Sequence, residues 1–385
     1  MGCLHSTVKI QGQLQKEPTY KGKYKFFGPS ISGDVHPTTC ENLYQVCLGD
    51  GWYFYNDTTD KEFNITVFFG PKTKVFRRIR IDMSTRASVL PQKSGLLKNE
   101  TLCTVQVYPF ETVPLASYDT KKGIDSFTIR CDASALSSNK IMEKISNSRS
   151  KLRKSHDFIT RALKSSASQT LEATLKLCIE RKIQFVDYTF FPGQESIERP
   201  GKDPHEVNVD SVQWMRSVDI VPTQLQKKVQ LYGRRIKPKW VAQGYIGNCW
   251  FISALTIVSQ YPSLTRKLFN HSLSASQVER ERSIGAYRVW LNIGGWWMNI
   301  IVDNYLPTKD LQILFASSAS DPFSLWVPLI EKAYAKAYGS YTALVGGCTG
   351  DGIRDLTGFP YFDVDRETCI VSSKYDDDAK AFFLH

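Results

Sequence analysis

The sequence predicts an α+β protein, with a small β-rich module at the amino end and a mostly helical region after it. Two observations lead there. Between Tyr24 and Glu111, short β-branched and aromatic runs are separated by Gly, Asn, Asp and Pro. From Asn139 onward apolar residues recur at helical spacing, and a further apolar run of helical length begins at Cys249. A length of 385 residues implies two or three domains, and a hydrophobic fraction of 42% suffices for sizeable cores. We expect a flexible tail at 1–23, a β-rich regulatory or interaction domain at 24–115 and a basic helical connecting region at 116–182. A larger domain is expected at 183–360 and the start of another at 361–385.

The tail opens M-G-C-L-H-S. Once Met1 is removed, Gly2 presents the amine that accepts a myristoyl group, with Ser6 at the position such a signal requires. Cys3 beside it is a second acylation site. One acyl chain holds a protein to a membrane reversibly and two hold it stably, so the Gly2–Cys3 pair implies a membrane partner. The polar run to Lys23 serves as a spacer. The formal charge of +11 favours anionic partners. Nine cysteines without paired C-x-x-C spacing read as reduced thiols of an intracellular protein. No stretch approaches 18 apolar residues, so no transmembrane helix is expected.

In the β module, strands are predicted at Tyr44–Leu48, Trp52–Tyr55, Phe63–Phe69 and Thr104–Tyr108. Gly49-Asp50-Gly51, Asn56-Asp57 and Gly70-Pro71 turn the chain between them. The result is a small sandwich or barrel. It carries no metal cluster, phosphate loop or His–carboxylate pairing, which points to contact with other proteins, cytoskeletal ones among them. Between Asn139 and Lys182 stand eleven Lys/Arg against four Asp/Glu. Ile141, Ile145, Leu152, Ile159, Leu163 and Leu171 fall on amphipathic helices, which either pack on a neighbour or lie against anionic lipid. Aromatics are sparse there and no base-reading motif occurs, so nucleic acid is not an expected partner.

The chemistry gathers at V-A-Q-G-Y-I-G-N-C-W-F-I-S-A-L-T-I-V, Val241 to Val258. A thiol at Cys249 meets the positive end of a helix, which favours a thiolate. Gln243 can offer an amide N–H to an oxyanion. Farther on, Tyr287–Val302 reads as two strands around Gly294-Gly295, and Leu325–Tyr338 as a helix stopped by Gly339. Gly346-Gly347 allows close backbone approach, for a tight turn or for a bound peptide.

These stretches resemble the catalytic region of the calpains. The matching motifs are Q-G-Y-I-G-N-C-W, V-D-N-Y-L-P-T-K-D, W-V-P-L-I-E-K-A-Y-A-K, G-S-Y-T-A-L-V-G-G and D-L-T-G, with weaker similarity from Phe185 through Trp214. The resemblance implies a papain-like fold, of which 183–360 would be the first, mostly helical subdomain. It implies Cys249 as nucleophile, Gln243 as oxyanion donor, and Trp250, Gly346 and Gly347 as substrate-binding residues. The implied reaction is peptide-bond hydrolysis through a thioester. The acylation-competent start and leading β module are similar to calpain-related proteins of kinetoplastid protozoa. That similarity implies a place at the plasma or flagellar membrane, or at the cytoskeleton beneath it.

The chain also departs from the family. Calpains place their catalytic His more than 150 residues after the Cys and an Asn beyond that. Here the histidines after Cys249 are His271 and His385, and neither is expected to serve as base. The second subdomain is therefore expected to be largely missing and the chain not autonomously active. The alternative reading is a non-catalytic scaffold or peptide-binding module. Where calpains hold calcium through an Asp nine residues before the nucleophile and a Glu two residues before the conserved Trp, this chain has Trp240 and Ser324. No cofactor is expected. Asn248 stands where calpains usually have Asp.

Overall fold

Alternation along Lys61–Phe69 sets the frame of the amino-terminal module. Phe63, Ile65, Val67 and Phe69 point to one side and are fully buried. The computed structural model describes residues 6–10, 24–26, 28–76, 87–91, 101–164, 169–221, 223–233, 235–270, 273–319 and 321–362. Gly2, Cys3, His271, His385 and the expected segment from 363 onward lie outside them.

Two antiparallel sheets form the module. In one, β1 (Ser6–Ile10), β5 (Lys61–Phe69), β7 (Ser88–Pro91), β8 (Thr101–Val107) and β10 (Phe127–Ala135) run in the order β1-β10-β5-β8-β7. In the other, β2 (Asp34–Pro37), β3 (Leu43–Leu48), β4 (Gly51–Asn56), β6 (Val75–Phe76) and β9 (Thr112–Tyr118) run β2-β3-β4-β9-β6. Their inner faces share one core. Leu43, Trp52, Phe54 and Leu115 meet the β5 row, Val105 and Cys131. The Trp52 ring lies 5.1 Å from Phe69 and 4.9 Å from Phe127. This is a β-sandwich. All six residues of β4 are buried because its outer face is covered as well. Tyr24 packs edge-on against Tyr44 and Tyr55, and the Phe26 N–H donates to Asp57 Oδ2 at 3.0 Å.

The expected boundary at 115 is corrected by this sheet. It falls inside β9, and β10, assigned above to the helical connector, pairs along its whole length with β5. Its sequence, F-T-I-R-C-D-A-S-A, carries too few large apolar residues to announce a central strand.

Helices follow: α1 (Ser138–Lys164), α2 (Leu171–Arg181), the single turns α3 (Gln194–Ile197) and α4 (Ser217–Ile220), α5 (Cys249–Ser259), α6 (Pro262–Lys267), α7 (Ala275–Ser283), α8 (Trp326–Tyr338) and α9 (Thr349–Thr357). The chain does not divide at one point near 182. One compact unit comprises Met1–Arg153, Gln213–Gln230 and Pro307–Ile313, and the other comprises Lys154–Val212, Leu231–Leu306 and Leu314–His385. The returning stretches join the first unit because Met215 and Leu311 pack on Ile145 of α1. The apolar stripe of α1 therefore faces protein, with Ile145, Leu152 and Ile159 buried at spacings of seven.

In the second unit, β11 (Ala286–Ile293) and β12 (Trp296–Asp303) form a hairpin closed by Gly294 and Gly295. Both glycines have positive φ, 61° and 88°, as a two-residue type I′ turn requires. α8 supplies ten buried residues and ends at Gly339, φ 107°. Two of its lysines are pinned to the chain around it. Lys332 Nζ donates to Asp303 Oδ1 and to the Tyr305 carbonyl, and Lys336 Nζ donates to Asp187 Oδ2 and the Ile301 carbonyl. The Asp187 N–H in turn donates to Asp303 Oδ2 at 2.8 Å. Among the described residues no helix is long and apolar enough to cross a membrane.

Candidate active site

The loop before α5 is fixed by its own glycines and by backbone bonds on both sides. Val241 and Ala242 pair with Ser318 and Ser317, which starts the loop in a defined register. A Cβ on Gly244 would sit 2.2 Å from Phe315 Cα, so only glycine fits against that backbone. The Tyr245 N–H donates to the Leu314 carbonyl at 3.0 Å. Gly247 is held from both ends: its N–H donates to Glu206 Oε2 at 3.0 Å, and its carbonyl accepts from the Gly346 N–H at 3.1 Å. Asn248, fully buried, has its side chain turned inward, where Nδ2 donates to Glu331 Oε1 at 2.7 Å. The other oxygen of Glu331 accepts from the Ala316 N–H at 2.8 Å.

Cys249 is the first residue of α5 and is exposed, whereas the other described cysteines are buried or half-buried. No hydrogen bond reaches its thiol or its N–H among the described residues. At a helix start that N–H has no partner within the helix. Burial pushes the Cys103 and Cys131 thiols up to about 12, and Cys178 up to about 11, so those thiols stay neutral. Gln243 is exposed six residues upstream. One of its amide hydrogens goes to the Ile246 carbonyl at 2.8 Å, which leaves the second available. The Trp250 indole N–H donates to the Leu344 carbonyl at 2.8 Å, and a Cβ on Gly347 would lie 2.4 Å from the Trp250 ring. Gly346 has φ 72°. The structure thus brings the loop of Gln243 and Cys249 against Gly346 through Gly247, and Trp250 against Gly347.

Behind the thiol, Phe251 stacks on Tyr334 of α8, centroids 4.1 Å apart at 16°. Asp203 fastens the loop around Arg199 to the turn after α8, accepting from the Arg199 guanidinium and from Ser340 Oγ. Those hydrogen bonds, the guanidinium's first, hold its carboxyl down at about 2.

The model of the calpain family of cysteine proteases matches residues 185–378, half of the chain. The chain belongs to the calpain family. Calpain-5 of Caenorhabditis elegans is 32% identical over 194 residues, which is 50% of this chain and 28% of that protein. The calpain-1 catalytic subunit of Mus musculus is 30% identical over 190 residues, 49% of this chain and 25% of that protein. The chain thus spans about a quarter of the length of these relatives. A second model, a domain of unknown function (DUF1935), matches residues 24–136, which take in every strand of the β-sandwich except β1. A solved structure described as a Leishmania major hypothetical protein overlaps 31% of this chain and 97% of its own, at 17% identity and a TM-score of 0.25. The fold is a β-rich module followed by the mostly helical part of a papain-like calpain core.

Two of the calpain motifs have a structural role: the buried Asp303–Lys332 ion pair joins V-D-N-Y to E-K-A-Y-A-K, and Lys336 pairs with Asp187. The two places where the resemblance implies calcium-ligating carboxylates do not fit a hard dication. Lys237 Nζ lies 5.6 Å over the Trp240 ring, and Ser324 Oγ is buried without a hydrogen bond. Among the described residues no three His, Cys, Asp or Glu side chains are grouped to hold a metal. Sequence reasoning missed Glu206 and Glu331. Glu331 had one signal, a carboxylate inside the apolar stripe of Leu325–Tyr338.

Proposed function

We propose that this chain carries the nucleophile half of a calpain-type cysteine endopeptidase. One observation carries the reading: Cys249 is the exposed thiol at a helix start, on a loop bonded directly to Gly346. The Cys249 N–H and the second amide hydrogen of Gln243 are the donors suited to an oxyanion. Gly346, with nothing within 4 Å of where a Cβ would stand, leaves room for an extended peptide, and Gly347 lets the Trp250 ring pack beside it. Attack of the Cys249 thiolate on a peptide carbonyl would give a tetrahedral oxyanion, and expulsion of the protonated amine would leave a thioester.

No described histidine hydrogen-bonds Cys249, so these residues supply capture of a carbonyl and not the base. Turnover is proposed to need an imidazole from elsewhere. A peptidyl electrophile should label Cys249, and labelling should vanish in Cys249→Ala. Equal labelling of the variant would sink the proposal. Efficient peptide cleavage by the chain carrying His271→Ala and His385→Ala, with no other protein added, would refute the dependence on a further imidazole.

The open backbone at Gly346 beside the Trp250 ring also suits a second reading, a peptide-binding module that holds a peptide without hydrolysis. Binding of an uncleaved peptide, weakened by a bulky residue at Gly346, would support it. Membrane attachment through acyl chains on Gly2 and Cys3 is a separate proposal, motivated by M-G-C-L-H-S and the net charge of +11. Gly2→Ala should release the protein into the soluble fraction of cells that myristoylate. Unchanged sedimentation with membranes would rule this anchor out.

A further inference from the structure

Glu331 is 1% exposed and lies on α8 beneath the nucleophile loop. Its two oxygens face opposite ways. Oε1 takes the Asn248 amide, in the residue before Cys249, and Oε2 takes the Ala316 N–H. The segment Leu314–Ala316 is the one that forces glycine at 244, through Phe315, and bonds Tyr245, through Leu314. One buried carboxylate therefore joins the end of the Gln243–Cys249 loop to the segment that packs on its start, and both partners are neutral. Asn248 Oδ1 is also buried and has no hydrogen-bond partner.

We propose that Glu331 is a positioning residue for the nucleophile, setting the presentation of Cys249 through Asn248 and Ala316. The inference rests on the reading of Cys249 as the nucleophile. An ionised Glu331 accepts both bonds. A protonated Glu331 has an O–H to donate, and Asn248 Oδ1 is the unpartnered acceptor beside it. Proton uptake would turn the Asn248 amide over, exchange its donor for its acceptor and shift the residue that carries the thiol.

Burial without a cation raises the Glu331 carboxyl to about 7, which places this exchange near neutrality. The other titratable groups around α8 are engaged elsewhere. Lys332 is bound to Asp303, Lys336 to Asp187, and Asp355 of α9 to Tyr334 and Tyr338. Arg288 of β11 is held by Glu172 and Glu281. The Tyr341 phenol is pushed well up by burial and by Glu331, so it stays neutral.

The test is the rate of Cys249 alkylation by iodoacetamide as a function of pH, read by peptide mass mapping on the full chain. The wild type should show two steps, one from the thiol and one from Glu331. In Glu331→Gln the second step should disappear, because the amide mimics the protonated carboxyl at every pH. In Asn248→Asp two carboxylates must share the site, and the step should move upward by more than one pH unit. Profiles of both variants superimposable on the wild type would overturn the proposal. If Glu331→Gln does not fold, the Asn248→Asp profile alone decides. If peptidyl electrophiles fail to label Cys249 while these profiles shift, the peptidase reading falls and the positioning role stands.

Discussion

Gly347 shows at the residue scale how tightly the thiol's surroundings are built. Its missing Cβ is occupied by the Trp250 ring, which is itself bonded to Leu344. Gly347→Ala should displace the indole and cost about 1–3 kcal/mol, seen as a lowered urea midpoint and altered tryptophan emission. Glu331 makes a second prediction. Its folded carboxyl lies at about 7 against an ordinary 4.5. The folded protein therefore keeps this proton while the unfolded chain loses it. Stability from this group is complete below about 4.5 and lost as pH rises to about 7, a total of roughly 3 kcal/mol. Urea unfolding of Glu331→Gln should show a flatter pH dependence across that window than the wild type, and equal slopes would contradict the assignment. The thiol and its glycines were legible in the sequence because each obeys a local rule. Glu331 was not, because its role depends on a partner 83 positions away.

At the scale of elements, α8 is the brace of the helical unit. Lys332 and Asp303 are both fully buried, and Lys336 reaches Asp187 one turn on. Lys332→Met would leave Asp303 charged and without its cation, at a cost of roughly 3–5 kcal/mol. Thermal unfolding of the variant would check this, and a drop of less than 1 kcal/mol would show that Asp303 finds another partner. The hairpin β11–β12, the stop at Gly339 and the alternation in β5 were readable from turn chemistry and periodicity. β10 was not, since its apolar content is low and its place is set by pairing with β5. The return of Met215 and Leu311 to α1 was equally hidden, because contacts so distant in sequence leave no local pattern.

Across the whole molecule, the β-sandwich has its own core, built from strands that end at Ala135. A fragment of residues 24–136 should fold alone, with a β-type circular dichroism spectrum and one cooperative melt. A broad, non-cooperative transition would show that the sandwich needs the rest of its unit.

The hairpin β11–β12 leads to a final point. Trp296, Trp297 and Met298 are exposed at 79%, 48% and 48%. Trp297 lies over Gly358, and Phe359 beside it is open as well. Trp52 and Trp326, by contrast, are buried. The protein thus has a built-in optical reporter. Its solvent-facing indoles should emit to the red and be quenched by acrylamide. Anything that covers this hairpin, without any label being introduced, should shift that emission to the blue and shield it from the quencher.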